Sequence, residues 1–420
     1  MFLFIKKILF VLAITFLTVT QNTFAQNGIN SPYSRYGFGI LSDRATGFNK
    51  GMSGVGFGFR DSKNVNTTNP ASYSAVDSLT ALFDLGLTFQ NGNYKMSGLQ
   101  QNARNTSFDY FAFQFRAFRR VGVTLGILPF SKINYNFNSE AQRVVGTEST
   151  TSTYSFTGSG GLHQAFIGAG WEPVRNLSIG TNISFLYGDY MHSTTMVFSD
   201  TTSYSTHRSY KADISTYKID AGLQYTLPIN KKDQLTLGLT YSLGHDINNR
   251  AIRLTQTLNS NNLTINSTND TLRNAFQLPH VFGAGLTYAH SNKWRIGVDA
   301  ELEKWADCRF PTQEGTKYTS STGQLNDRVR LAAGGMYIPN ADGQRYFQRV
   351  HYKLGAYYSR PYAKADNNGI EANRPTEFGI SAGVTLPIKS RWIWYNAPSI
   401  NIAFQWNQAK IGRASWRERV

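Results

Sequence analysis

The chain has 420 residues, 41% hydrophobic and 14% aromatic side chains, 37 glycines, one cysteine and a formal net charge of +16. The single cysteine, Cys308, excludes an intramolecular disulfide. The positive charge is scattered along the chain and no nucleic-acid motif occurs, so we do not expect nucleic acid among the partners.

Residues 1–25 have the pattern of a signal peptide. Lys6 and Lys7 precede the apolar run "ILFVLAITFLTV", and Thr23–Ala25 forms a small-residue cleavage site before Gln26. That apolar run is shorter than the roughly 20 residues that a transmembrane helix needs. We therefore predict cleavage and export rather than a retained membrane anchor.

Residues 26–78 are rich in glycine and small polar residues, and they lack the alternation of a strand. They include the run "GMSGVGFGFRDSKNVNTTNPASYS". Unpaired backbone groups in contact with lipid cost several kcal/mol each, so such a segment cannot form part of a membrane wall. We predict that it is a hatch, or plug, inside the lumen of the barrel formed by the rest of the chain.

Residues 79–410 alternate between apolar and polar or small side chains. In "LTLGLTYSLG", Leu235, Leu237 and Leu239 share one face, whereas Thr236 and Gly238 share the other. Alternation over about ten residues is typical of a transmembrane strand and exceeds the usual strand length of soluble proteins. The pattern predicts an all-β fold, an antiparallel transmembrane β-barrel, with thirteen strands near Thr80–Gln90, Thr106–Phe118, Arg120–Leu128, Leu162–Glu172, Asn176–Tyr190, Lys211–Leu227, Gln234–Gly244, Ala275–His290, Lys293–Lys304, Asp327–Tyr337, Tyr346–Ser359, Thr376–Pro387 and Ser399–Gln408.

The links between these strands alternate between short turns and long polar segments. Short periplasmic turns and long outer loops are typical of outer-membrane barrels. The predicted outer loops are Ser131–Gly161, Met191–Tyr210, His245–Asn274 and Ala306–Asn326.

A count of thirteen conflicts with barrel closure, because bacterial single-chain barrels have an even number of strands. Residues 411–420, "IGRASWRERV", are charged, lack alternation and look like a translated sequencing adapter. We therefore expect fourteen strands, with the last one truncated and the tail non-native. The alternative is a natural basic tail.

The N-terminal segment resembles the hatch of the FadL/OMPP1/TodX family of outer-membrane transport proteins. The resemblance lies in the glycine-rich run and the turn that follows it, Asn69, Pro70 and Ala71. The opening "SPYSRYGFG" resembles the start of FadL-like barrels from Bacteroidetes, and we expect its residues Tyr33, Arg35, Tyr36 and Phe38 to pack against the inner wall. The acidic residues that often follow the family's glycine run are reduced here to one, Asp61.

Charged residues recur on one face of three late strands. They are Asp299, Glu301 and Glu303, then Arg328 and Arg330, then Arg349 and Lys353. Because charge facing lipid is costly, we expect this ladder to face the lumen. Two roles remain open. The ladder fills the lumen and anchors the hatch through ion pairs, or its cations bind the anionic head of an amphiphile.

The resemblance implies that ligands pass from the outer loops through an apolar pocket to a lateral gap, which a kinked strand makes. Pro129, at the end of the third predicted strand, cannot donate a ladder hydrogen bond and is the candidate kink. The alternative is that Pro129 only ends that strand.

No nucleophile, phosphate-binding or metal-ligand pattern occurs, so we predict no enzyme activity, no metal and no cofactor. The predicted function is passive uptake of hydrophobic or amphipathic small molecules, such as fatty acids or aromatic hydrocarbons, through a hatch-gated outer-membrane channel. The alternative is a structural or accessory subunit of an outer-membrane secretion or assembly complex. The expected partners are outer-membrane lipid, a hydrophobic ligand or the subunits of such a complex.

Overall fold

The computed structural model describes residues 30–96, 99–145, 148–199, 203–261, 263–314, 317–364, 376–388 and 398–410. The predicted signal peptide and the predicted tail, 411–420, lie outside the described residues. None of the described helices combines the length and the apolar character that crossing a membrane requires.

The described residues form twenty strands, and most of the chain after residue 80 is extended. In chain order the strands β1 to β20 are Ile40–Leu41, Ala81–Met96, Leu99–Phe118, Val121–Val145, Glu148–Val174, Leu177–Phe198, Ser205–Pro228, Asp233–Ser242, His245–Ile247, Arg250–Leu258, Thr264–Arg273, Phe276–Leu278, Val281–His290, Trp294–Glu303, Phe310–Glu314, Lys317–Ser321, Arg328–Tyr337, His351–Arg360, Thr376–Pro387 and Ser399–Lys410. The helices α1 and α2 are Gly47–Lys50 and Tyr346–Arg349, and 3₁₀ turns cover Pro32–Arg35, Pro70–Ala75 and Trp305–Asp307.

Thirteen of these strands form the wall, an antiparallel sheet in the order β2-β3-β4-β5-β6-β7-β8-β13-β14-β17-β18-β19-β20. Each strand predicted from the alternation overlaps one wall strand, so the predicted fold class is confirmed. Among the described residues no ladder joins β20 to β2, and the fourteenth strand stays a prediction.

The alternation also divides the wall into an outer and an inner face. On β13, Phe282, Leu286 and Tyr288 point outward and are 49%, 39% and 37% exposed, whereas Thr287 is buried. Successive side chains of a strand point to opposite faces, so one apolar series per strand forms the lipid-facing surface. The other series, small or polar, faces the lumen.

The four predicted outer loops are wrong as loops, because each of them contains paired strands. β4 and β5 remain paired from Lys132↔Gly161 to Val145↔Glu148, and β6 and β7 extend in the same way. The third segment contains β9, β10 and β11, with β10 paired to β7, and the fourth contains the β15–β16 hairpin. Backbone N–H and C=O groups require partners, and Ser and Thr side chains are compatible with strands, so these polar segments pair with each other although they lack an apolar face.

Residues 30–79, here called the N-terminal segment, lie against the inner faces of the wall strands. Phe38, Phe48, Met52, Phe59 and Tyr73 are each at most 1% exposed. Buried apolar clusters join this segment to the wall at three places. The core of the molecule is therefore the lumen itself, filled by the segment that precedes the first wall strand.

Candidate functional site

The turn at Asn69 ties the N-terminal segment to the wall. Pro70 begins a 3₁₀ helix, and the Asn69 side chain caps it by accepting a hydrogen bond from the Ala71 N–H at 3.0 Å. Asparagine as N-cap and proline as first residue are the local signals for this start. The Asn69 Nδ2 atom also donates to the carbonyl oxygens of Phe57 at 2.8 Å and of Leu223, on β7, at 3.3 Å.

Glycines on the inner face let this backbone approach the wall closely. A Cβ atom at Gly180 would lie 2.4 Å from the Pro70 carbonyl carbon, and one at Gly238 would lie 1.9 Å from the Phe57 oxygen. The same holds at further wall glycines, which are Gly122, Gly170, Gly334 and Gly355. No larger residue fits at these places without a shift of backbone.

A network of ion pairs crosses the lumen between the N-terminal segment and β7, β14 and β17. Arg44 contacts Glu301 at 2.7 Å and Asp220 at 3.3 Å. Arg328 contacts Glu301 at 3.3 Å and also pairs with Glu303. The predicted ladder residues Glu301, Glu303 and Arg328 thus lie together, and their partner Arg44 comes from the N-terminal segment.

The next member of the predicted ladder, Arg330, also contacts the N-terminal segment. Its guanidinium donates to the Ser53 carbonyl at 2.7 Å and lies 3.3 Å from the Asp43 carboxylate. Both β17 guanidinium groups that were candidates for an anionic ligand are therefore engaged by groups of this chain.

Asp299 and Lys353 bind the backbone of the N-terminal segment. The Asp299 carboxylate accepts hydrogen bonds from the N–H groups of Gly56 and Phe57 at 2.7 and 2.9 Å. The Lys353 ammonium donates to the Phe48 carbonyl at 2.9 Å and lies 3.7 Å from the Phe48 ring centroid. These contacts satisfy polar groups that would otherwise be buried without partners.

Two more ion pairs fix the side of the N-terminal segment that faces the short turns. Arg60 contacts Glu172 at 3.0 Å and donates to Ser178 at 2.7 Å. Asp61 pairs with Arg295. Burial raises the pKa of Asp61, but the Arg295 guanidinium and hydrogen bonds outweigh burial and hold this pKa below its usual 3.8.

The other half of the lumen is filled by aromatic side chains around Phe38. Its ring centroid lies 5.3 Å from those of Phe276 and Phe310 and 5.9 Å from that of Trp305. Phe38 is fully buried, and the Tyr362 hydroxyl donates to the Gly39 carbonyl beside it. The side chain of Phe38 thus lies at the centre of a packed aromatic cluster.

The three remaining hatch candidates are Tyr33, Arg35 and Tyr36, and each has a separate contact. The Arg35 guanidinium lies 4.2 Å from the centroid of the Phe156 ring. The Tyr33 and Tyr94 ring centroids are 6.4 Å apart, and the Tyr36 carbonyl accepts a hydrogen bond from the Tyr362 hydroxyl at 3.2 Å. Arg35 thus contacts β5, Tyr33 contacts β2, and Tyr36 contacts the segment that follows β18.

The family model described as BamG matches residues 4–412. The chain belongs to the BamG family. The predicted resemblance to FadL-like barrels is also confirmed by solved structures that resemble this BamG-family chain. A Pseudomonas aeruginosa FadL homologue has a TM-score of 0.59 and 13% identity over 88% of this chain and 91% of that chain.

Two further structures resemble the BamG-family chain over most of their length. The CymD monoaromatic hydrocarbon channel has a TM-score of 0.53 and 14% identity, covering 89% of this chain and 94% of that one. The P. putida toluene transporter TodX has the same TM-score and identity, covering 88% and 97%. At these identities the likeness shows the fold. No curated protein matches the chain.

Two site predictions for the BamG-family chain need correction. Arg349 is not on β18, because α2 covers Tyr346–Arg349 and the strand begins at His351. The Arg349 guanidinium lies 5.9 Å from the Tyr346 ring centroid. Pro129 does not end a strand either, since β4 continues to Val145.

Pro129 instead marks an irregular place in the wall. The β4–β5 register shifts between Pro129 and Ser131, which leaves one extra residue on β4. The described β3–β4 pairing ends at Phe111↔Ile127. Beyond that point β1 of the N-terminal segment pairs with β4. The segment therefore covers the edge of β4 that β3 no longer pairs with. The role of Pro129 as the kink of a lateral gap stays a prediction.

One interior cavity of the BamG-family chain lies where the ion pairs meet, and it is small. It lies beside the ion-pair network, with Leu41, Phe130 and Leu278 among its lining residues, and has a volume of about 70 Å³. Pockets that bind organic ligands typically have volumes of about 300–1,000 Å³. This space accommodates a few water molecules and is too small for a fatty acid.

Sequence reasoning missed Arg44 and Asp220 as residues of the site. Arg44 stands in a segment without periodicity, and nothing local indicates its partners. One physical rule could have indicated a partner for Arg44. An unpaired charge inside a barrel is costly, so a buried guanidinium requires a carboxylate on the inner wall.

Proposed function

We propose that this BamG-family protein is a closed, non-enzymatic barrel that acts as a structural accessory subunit of an outer-membrane assembly or secretion complex. The observation that carries the proposal is the packed lumen. Phe38 and its aromatic neighbours pack one part of the lumen, ion pairs cross another, and the cavity beside these ion pairs has a volume of about 70 Å³. The family name, BamG, also points to an outer-membrane complex.

The ion pairs favour a scaffold over a ligand site. Arg328 and Arg330 are both engaged by carboxylates of this chain, so an anionic ligand would have to displace them. Removing one partner of a buried ion pair costs about 3–5 kcal/mol, because the other charge is left without compensation. A binding site for an amphiphile's head would instead present an unpaired cation.

The second candidate function is passive uptake of hydrophobic or amphipathic small molecules, with the N-terminal segment as the gate. Two solved structures of the same fold are named as a monoaromatic hydrocarbon channel and a toluene transporter. The interrupted β3–β4 pairing beside Pro129 also favours this candidate, because a lateral exit needs a break in the wall. In this case the N-terminal segment must move before any ligand passes.

The two functions differ in what purifies with the protein and in what its loss changes. The test is affinity purification of the tagged protein from cross-linked outer membranes, together with a depletion strain. A scaffold role predicts a stoichiometric complex with other outer-membrane proteins and reduced levels of assembled or secreted proteins on depletion. An uptake role predicts a protein that purifies alone and slower uptake of toluene or laurate on depletion, and this result would contradict the proposal.

A further inference from the structure

The barrel has a strongly basic recess at the end where the short turns lie. It has a volume of about 700 Å³ and is lined by residues of the turns after β3, β5, β7 and β13 together with the N-terminal segment. Short turns lie on the periplasmic side of outer-membrane barrels. This recess, here called the basic cup, has as its charged lining residues Arg60, Asp61, Arg116, Arg120, Glu172, Lys231, Lys232 and Arg295.

Internal pairing leaves a net positive charge in the basic cup. Its lining has six cations and two carboxylates, a net charge of +4. Both carboxylates are already used, Glu172 by Arg60 and Asp61 by Arg295. Four cations therefore remain without a carboxylate partner among the described residues.

These four cations lie in the turns or near the strand end beside them. Arg116 donates to the Val76 carbonyl at 3.3 Å and to the Ser78 hydroxyl at 3.1 Å, which are neutral acceptors. Lys231 and Lys232 are exposed on the β7–β8 turn, and Arg120 lies in the β3–β4 turn. Cations of one sign in a concave site with low-dielectric walls concentrate anions and accelerate their association.

The rest of the lining indicates which kind of anion fits. Between the charges it consists mainly of Ser, Thr, Asn and Gln residues, and its apolar members are small, Ala75, Val76, Pro228 and Ala289. A lipid would have to place its acyl chains in this polar recess or leave them outside it. The volume also far exceeds that of a single inorganic anion and accommodates several residues of extended or helical chain.

We propose that the basic cup docks an acidic, hydrophilic peptide segment of a periplasmic partner. The inference deepens the proposed function and rests on it, since a scaffold within a complex needs a contact on the periplasmic side. The partner segment is rich in Asp and Glu and enters the basic cup. Its carboxylates pair with Arg116, Arg120, Lys231 and Lys232.

The test uses the full-length protein in detergent and a fluorescein-labelled deca-glutamate peptide, with an uncharged Gly-Ser peptide of equal length as control. The cup variant is Arg120→Gln/Lys231→Gln/Lys232→Gln. The rim variant removes three cations of neighbouring turns that are exposed and do not line the cup, Arg119→Gln/Arg175→Gln/Lys293→Gln. Phosphatidylglycerol vesicles serve as the lipid probe.

The wild-type protein and the rim variant should bind the acidic peptide, and the cup variant should bind it at least about tenfold more weakly. Equal binding by the cup and rim variants would overturn the proposal, because net charge alone would then explain the affinity. Failure of the wild type to bind the peptide, or loss of vesicle binding in the cup variant alone, would also overturn it.

The same variants separate this inference from the proposed function. If the wild type purifies with a complex and the cup variant does so equally well, the scaffold role stands and the docking role of the cup is wrong. If the wild type purifies alone but the cup binds the peptide, the proposed function fails on its own.

Discussion

Replacing Gly334 by alanine tests whether the wall is built around the N-terminal segment. Gly334 and Gly335 are neighbours on β17 and face opposite sides. A Cβ atom at Gly334 would lie 2.5 Å from the Met52 carbonyl oxygen and 2.9 Å from the Met52 Cβ atom. A Cβ atom at Gly335 would lie 3.2 Å from its nearest neighbour, the Arg295 carbonyl oxygen.

The two substitutions should therefore have different energetic costs. Gly334→Ala forces the backbone at Met52 to move, and overpacking of this kind costs about 1–3 kcal/mol. Gly335→Ala requires a shift of only a few tenths of an ångström. Alanine is favoured over glycine within a strand by roughly 0.5–1 kcal/mol, so this change should be neutral or slightly stabilising.

The assay is urea unfolding of each variant in lipid vesicles, followed by tryptophan fluorescence, with limited proteolysis of residues 30–79 in parallel. Gly334→Ala should lower the free energy of unfolding and expose the N-terminal segment to the protease, and Gly335→Ala should do neither. Equal stability and equal proteolysis of the two variants would refute the close packing of the segment against the wall.

Three further predictions concern the interior. Phe38→Ala should destabilise the protein by about 3–5 kcal/mol in urea unfolding, because a buried ring is lost, whereas the lipid-facing control Phe83→Ala should change stability far less. Glu303→Gln should cost about 1–3 kcal/mol by removing the nearest carboxylate of Arg328, which keeps its contact with Glu301, and Glu303→Leu/Arg328→Met should recover most of this loss. Asp61 has a lowered pKa, so its ion pair stabilises the fold above pH 3.8 and is lost as the pH falls through the folded pKa. The stability difference between wild type and Asp61→Asn should therefore be constant well above pH 3.8 and shrink as the pH falls below it.

Each of these predictions has a result that contradicts it. Equal losses for Phe38→Ala and Phe83→Ala would mean that the aromatic cluster does not pack the lumen. If the double substitution at Glu303 and Arg328 were no more stable than Glu303→Gln, the ion pair would not explain the cost. A difference for Asp61→Asn that did not change with pH would exclude its carboxylate as the titrating group.

The wall was predictable from the sequence because lipid imposes a strict rule on it. An apolar residue at every second position is required wherever a strand crosses the bilayer, and this pattern locates thirteen strands. The rule does not apply beyond the bilayer. The polar extensions of β4 to β7 and the pair β10 and β11 were therefore predicted as loops, and α2 was predicted as part of β18.

The interior was predictable only in part, because its contacts join distant parts of the chain. Asp299, Glu301 and Glu303 could be assigned to the lumen from alternation alone. Their partners could not, since Arg44 is 257 residues away from Glu301. The aromatic cluster likewise joins Phe38 to Phe276, Trp305 and Phe310, which share no common pattern in sequence.

The most direct test of the closed lumen is the conductance of the purified protein in planar lipid bilayers. The protein is compared with a variant from which residues 30–79 are deleted. The structure predicts that the wild type is electrically silent and that the deletion produces a stable conductance. A wild type that conducts as strongly as the deletion variant would contradict the account.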